Sequence, residues 1–261
     1  MYDFELIKPG TIGDAVAALA HSDAQALSGG QTLLPTMKQR LASPSVLVSL
    51  TGISEMQGVC LGDGGLHIGG ATPHAVVARE AAAHYPALAA LAGGIGDPAV
   101  RNRGTIGGSV ANNDPAACYP SAVLASGATV ITNLRRIAAD DYFRGMFTTA
   151  LKEGEIITEV QFPIPERGAY VKFDQPASRF ALTAVFVAKF ASGVRVAVTG
   201  ASNGGVFRWH DAEAALSADF SARAIAGLIV NPSGMIADLH GTPAYRANLV
   251  KVLTGRAVTA A

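Results

Sequence analysis

Cysteine is nearly absent from this 261-residue chain: Cys60 and Cys118 are too few and too scattered for a structural zinc or an iron–sulfur cluster held within it. Net charge is absent as well. Twenty basic residues balance twenty acidic ones with no basic run, so no global field draws the chain to nucleic acid or an anionic membrane. No apolar stretch approaches the roughly 18 residues of a membrane span. The start, Met1-Tyr2-Asp3-Phe4-Glu5, lacks the basic region and apolar core of a signal peptide. These absences predict a cytoplasmic chain without a membrane span. His67, His74 and His84 lack metal-ligand spacing. There is no internal repeat or low-complexity segment, and no motif supplies a catalytic base or nucleophile.

What the chain does have is glycine, 29 of 261 residues, about 11% against a usual ~7%. Two glycine-rich segments stand out, Ser28-Gly29-Gly30-Gln31-Thr32 and Thr105-Ile106-Gly107-Gly108-Ser109, about 75 residues apart. Each follows a strand-like run. A Gly-Gly step removes two Cβ atoms and permits positive φ, so backbone N–H groups can close on a diphosphate, and Thr32, Thr105 and Ser109 add hydroxyl donors. The pairing points to a long phosphate-bearing ligand. Gly64-Gly65, Gly69-Gly70 and Gly204-Gly205 read as plain turns.

With 49% hydrophobic residues the chain can bury a core large enough for two compact units. Thr11 ahead of Ile12, Ala15, Val16 and Leu19 predicts a capped helix over 12–20. Ala24 to Leu27 reads as a strand entering the first glycine segment. Leu33, Leu34, Met37 and Leu41 then recur at helical spacing, and 46–50 suits a buried strand, making 1–50 a small β-α-β layer. Thr72-Pro73 reads as an N-cap and first helical position for a helix near 73–82, and 84–95 as an alanine-rich helix. A short helix over 121–126, a strand over 128–132 and alternation from Glu155 to Phe162 follow, and Pro163 and Pro165 mark a boundary. Beyond it come two strands, 181–190 and 194–199, and a terminal helix with Tyr245, Leu249, Val252 and Leu253 on one face.

The segment from Ala26 to Pro35, and then Arg101-Asn102-Arg103-Gly104-Thr105-Ile106-Gly107-Gly108-Ser109-Val110-Ala111-Asn112, resemble the FAD-binding medium subunit of molybdenum hydroxylases, the carbon monoxide dehydrogenase and xanthine dehydrogenase family. Tyr170 to Phe173 followed by Pro176-Ala177-Ser178-Arg179 is similar to the start of that family's C-terminal domain. The resemblance implies an α+β chain, with a two-lobed PCMH-type FAD-binding domain over 1–165, subdivided near 55. A smaller C-terminal domain of the CO dehydrogenase flavoprotein type would occupy 166–261. It implies that Ala26, Leu27, Ser28, Gly29, Gly30, Gln31, Thr32 and Leu33 wrap the FAD diphosphate and adenosine side. Thr105, Ile106, Gly107, Gly108 and Ser109 would hold the remaining phosphate and ribityl part. Ile95 would lie against the flavin, and Lys172 would be a basic residue near it.

By the same resemblance the chain passes electrons through FAD to an external acceptor. Its partners would be a small subunit with [2Fe–2S] clusters and a large molybdopterin subunit, assembled as a dimer of heterotrimers. A stand-alone flavin oxidase or dehydrogenase is the alternative. The chain departs from the family at Cys118, where many relatives carry an acidic residue, and Asp114 lies four residues too early to replace it. Arg101 and Arg103, alternating on an extended segment, read equally as phosphate contacts or surface residues. Tyr170 and Phe180 read equally as flavin covers or core, and Cys118 as an inert buried thiol.

Overall fold

The computed structural model describes residues 1–261 as three main β-sheets, each with its own apolar cluster, and a separate two-stranded hairpin. The first comprises β1 (Glu5–Ile7), α1 (Ile12–Leu19), β2 (Ala24–Leu27), α2 (Leu33–Lys38) and β3 (Val46–Ser49). Its strands run parallel in the order β1-β3-β2. The Thr11 hydroxyl accepts from the Asp14 N–H and fixes the start of α1, as its sequence predicts. Helix α2 stops at Lys38, earlier than the spacing predicts, because Arg40 takes φ 61° and Leu41 turns out to solvent, 75% exposed.

The middle sheet has the antiparallel order β4-β5-β10-β6-β7. Its chain order is β4 (Val59–Gly62), β5 (Gly65–Gly69), α3 (His74–Glu80), α4 (Pro86–Gly93), α5 (Pro98–Arg101), α6 (Ile106–Asn112), α7 (Tyr119–Ala125), β6 (Thr129–Thr132), β7 (Arg136–Ala138), α8 (Ala139–Tyr142), β8 (Phe143–Gly145), β9 (Thr148–Thr149) and β10 (Ile157–Phe162). The cap of α3 is Pro73, one residue later than predicted, because the Thr72 hydroxyl is spent on the N–H and carbonyl of Gly58. Gly64 does turn the β4–β5 hairpin. Gly69 and Gly70 are more than a turn: a Cβ on either would collide with backbone, at Met56 and at Ile157 respectively. Arg101 closes α5 rather than lying on an extended segment, since Asp97 accepts from the Val100 N–H and Pro98 starts a helical turn.

The third sheet is the antiparallel meander β11 (Arg167–Asp174), β12 (Ala181–Phe190), β13 (Gly193–Thr199) and β14 (Phe207–Arg208), followed by α9 (His210–Ala218) and α10 (Pro243–Ala260). One face packs on α9 and α10. From the other, Phe186, Ala188 and Ala197 join the core of the middle sheet, under α4 and α7. Leu249 and Leu253 of α10 are buried as predicted, but Tyr245 and Val252 stay partly exposed. The helix is rotated toward Arg246, whose buried guanidinium donates to the carbonyls of Leu182 and Gly200 and pairs with Asp238. No helix is long and apolar enough to cross a membrane. The α+β class expected from the resemblance is what the chain adopts.

Candidate functional site

The two glycine segments meet face to face. Strand β2 delivers the first and the loop after α5 delivers the second; the Ser28 and Thr105 hydroxyls are hydrogen-bonded at 2.7 Å across 77 residues of sequence. Each glycine there answers to a different constraint. Gly30 takes φ 70°, the conformation a side chain disfavours. Gly29 has no room for a Cβ against the Arg103 carbonyl, and one on Gly107 would lie 2.5 Å from the Gly70 oxygen. Gly108 is less confined, its nearest neighbours being the Thr105 hydroxyl at 3.0 Å and the Ser28 Cβ at 3.6 Å.

The second segment is not a loop. Thr105 is the N-cap of α6, accepting from the Gly108 N–H at 3.2 Å, so both glycines sit in the first helical turn with negative φ. The first segment is an irregular turn. The N–H groups of Gly29, Gly30, Gln31 and Thr32 donate to no acceptor in the chain, backbone or side chain, so four consecutive donors are left unpaired. Such a run of backbone donors is an anion-binding concavity. A diphosphate fits such a row of donors without a charged side chain.

Around this junction lies a cavity of about 730 Å³, within the range of about 300–1,000 Å³ usual for small-molecule sites. Ala26, Leu27, Ser28, Gly29, Gly30, Gln31, Thr32, Leu33, Ile95, Thr105, Gly107, Gly108 and Ser109 all line it. Ile106 does not; it is fully buried in the middle core. Lys172 is also off the wall. Its nearly buried ammonium donates to the carbonyls of Gly94 (2.7 Å) and Arg179 (3.0 Å) and pairs with Asp174 at 2.8 Å, which uses all three donors. It therefore latches the loop carrying Ile95 to the loop carrying Arg179 and Phe180. Arg101 supports the same loop by donating to the carbonyls of Ile95 and Gly96.

Of the two aromatics weighed together, Phe180 lines the cavity and is 53% exposed, whereas Tyr170 is turned inward against Phe186. Cys118 reaches the wall, but burial pushes its thiol up, as suits an inert cysteine. The sequence reading missed His74, Asn112, Phe147, Leu151 and Glu155, which also line the cavity. Burial, helped by Arg101, pushes His74 down to about 4, so a neutral imidazole stands there. The Glu155 carboxylate is held down to about 2, first by hydrogen bonds from Arg135 and then by the Lys152 N–H and the Thr132 hydroxyl. The only local signal for these residues was the alternation that placed Glu155 beside a strand.

A family model described as the FAD binding domain in molybdopterin dehydrogenase matches residues 2–165. The nicotine 6-hydroxylase medium subunit of Paenarthrobacter nicotinovorans is 36% identical over 97% of this chain and 95% of its own length. The carbon monoxide dehydrogenase medium chain of Hydrogenophaga pseudoflava is 31% identical over 99% of this chain and 96% of its own. Among solved structures, the reconstituted CO dehydrogenase from Oligotropha carboxidovorans superposes with a TM-score of 0.90 at 29% identity, over 99% of this chain and 98% of that one. Quinoline 2-oxidoreductase from Pseudomonas putida 86 gives 0.88 at 27% identity, over 99% of this chain and 96% of that one. With two glycine segments closing on one cavity, a matching model over more than half its length and relatives aligned from end to end, the chain belongs to the FAD-binding medium subunits of the molybdenum hydroxylases, a family of oxidoreductases.

Proposed function

We propose that the cavity between the glycine segments holds the FAD, and that the chain uses it to pass electrons from a partner's [2Fe–2S] clusters to an external acceptor. The observation that carries this reading is the row of four unpaired N–H groups from Gly29 to Thr32, set opposite the N-terminus of α6. These donors, the Ser109 hydroxyl and the one hydroxyl proton that the Ser28–Thr105 pair leaves free would hold the diphosphate. Ile95 would bear on the flavin ring. Lys172 would act at one remove, fixing the two loops that frame that ring rather than touching it. Bound FAD supplies the exchange of one or two electrons that a relay between clusters and a soluble acceptor requires.

In this reading residues 1–165 form the cofactor-binding domain and 166–261 a second domain packed on it. A small iron–sulfur subunit and a large molybdopterin subunit complete a heterotrimer that pairs into a dimer, in the cytoplasm. The relatives' names support the subunit arrangement, since each is a medium subunit or medium chain. The test is co-expression with the two neighbouring subunits, followed by anaerobic addition of substrate to wild type and to Gly108→Val. We expect cluster bleaching in both, but flavin bleaching and acceptor reduction in wild type alone. Acceptor reduction at the wild-type rate by a flavin-free variant would refute the relay.

A further inference from the structure

Phe147 combines three features that are each unfavourable in the chain by itself. It is 60% exposed, it takes φ 54° although it is a bulky residue, and it stands on the rim of the cavity. A non-glycine residue at positive φ is uncommon, and for a large side chain it is an outlier that persists only where surrounding bonds impose it. Here those bonds are identifiable. Phe147 sits in the turn between β8 and β9, and its N–H donates to the carbonyl of Asn113 at 3.0 Å. The buried Asn113 side-chain amide donates to the carbonyls on both sides of the turn, Gly145 at 2.7 Å and Thr148 at 2.9 Å. Asn113 is itself the left-handed cap of α6, with φ 45°. One helix thus carries the two ends of one device: Thr105 and Gly108 at its start, and at its finish the lock that presents Phe147. Its seven residues separate the ends by about 10 Å.

An apolar ring held rigidly in the open, one short helix away from a row of phosphate donors, suits a planar aromatic ring joined to that phosphate. We propose that Phe147 is a preformed stacking face for an aromatic ring of bound FAD, held in place by the Asn113 lock on its turn. The inference rests on reading the cavity as the FAD site. Either ring of the dinucleotide, adenine or isoalloxazine, has the required face, and the two are separable by probe.

The experiment uses the full chain freed of flavin and titrated with FAD, ADP and FMN by fluorescence and calorimetry, for wild type, Phe147→Ala, Phe147→Tyr and Phe147→Gly. Stacking of a base on an aromatic side chain predicts that Phe147→Ala weakens FAD between about 5- and 150-fold and that Phe147→Tyr restores it. Weaker ADP with unchanged FMN assigns the face to adenine; the reverse assigns it to isoalloxazine. Because glycine tolerates positive φ, flavin-free Phe147→Gly should melt about 2–4 °C above wild type while binding FAD as poorly as Phe147→Ala. Opposite signs in stability and affinity mark a strained residue retained for its ligand. FAD affinity unchanged in Phe147→Ala overturns the inference, also if a co-purifying subunit is lost instead, and so does a lower melting point for Phe147→Gly. A wild-type chain that binds neither FAD nor ADP overturns the FAD reading itself, an outcome distinct from equal affinities.

Discussion

Gly107 and Gly108 are adjacent, both helical and both at the mouth of the cavity, yet alanine at each should fail differently. At Gly107 the new Cβ would lie 2.5 Å from the Gly70 oxygen, the same oxygen that accepts the Gly107 N–H at 2.9 Å. The strand end and the helix start must separate, at about 1–3 kcal/mol for overpacking, and the flavin-free melting point should fall by several degrees. At Gly108 the nearest atom is the Thr105 hydroxyl at 3.0 Å, which a small rotation relieves. Replacing glycine inside a helix returns about 0.5–1 kcal/mol, so Gly108→Ala should melt within about 2 °C of wild type. The Gly108 methyl group would instead stand beside the Ser28–Thr105 pair, where the proposed phosphate contacts lie. Losing one hydrogen bond to a charged group costs about 1.5–3 kcal/mol, or about 10- to 150-fold in affinity. Gly108→Ala should therefore bind flavin more weakly by that factor, and Gly108→Val, whose branched side chain intrudes further, should leave purification almost free of flavin. Flavin content after acid release and a thermal melt of the flavin-free protein, measured on one preparation, read both quantities. Full FAD occupancy in Gly108→Val, or a normal melting point in Gly107→Ala, would refute this assignment of roles.

Four further outcomes are expected. His74 has its proton affinity lowered in the fold to about 4 from 6.5, so the unfolded chain binds the extra proton between those values. Stability is then complete above about pH 6.5 and declines by about 3 kcal/mol toward pH 4, and His74→Asn should flatten that part of a denaturation-versus-pH curve. Glu155 has its folded value depressed from 4.5 to about 2, so its stabilisation is present above about pH 4.5 and disappears as pH falls toward 2. Glu155→Gln should remove that limb of the acid-unfolding curve, and an unchanged limb would discount the Arg135 pair. Under native conditions a thiol reagent should titrate Cys60 promptly and buried Cys118 only on unfolding, so two equally fast thiols would contradict the packing around Tyr170. Lys172→Met should loosen the loops bearing Ile95 and Phe180 and speed FAD dissociation without changing its salt dependence; a strong new salt dependence would mean that the ammonium meets the phosphates directly.

The parts of this fold written in nearest-neighbour patterns were legible. Thr11 announced α1, alternation from Glu155 to Phe162 announced β10, and the apolar runs 181–190 and 194–199 announced β12 and β13. The glycine segments were recognisable, but the positive φ expected of a Gly-Gly step is absent from the second: Thr105 as an N-cap three residues before Gly108 looks the same on paper as a hydroxyl beside a turn. Arg101 was misplaced because Asp97-Pro98 makes a single helical turn, too short to show periodicity. Lys172 as a latch, Phe147 on its strained turn and neutral His74 left no local trace. Each depends on partners far along the chain: Gly94 is 78 residues from Lys172, and the Gly145 and Thr148 carbonyls are 32 and 35 from Asn113.

The third sheet lends Phe186, Ala188 and Ala197 to the core beneath α4 and α7. The stretch that matches the cofactor-binding model, residues 2–165, consequently shares its core with strands that lie beyond it. Cut there, the fragment would expose the sides of α4 and α7 that the meander covers. A graft of this flavin module onto another oxidoreductase would keep that shared core intact only if the β11–β13 meander travelled with it.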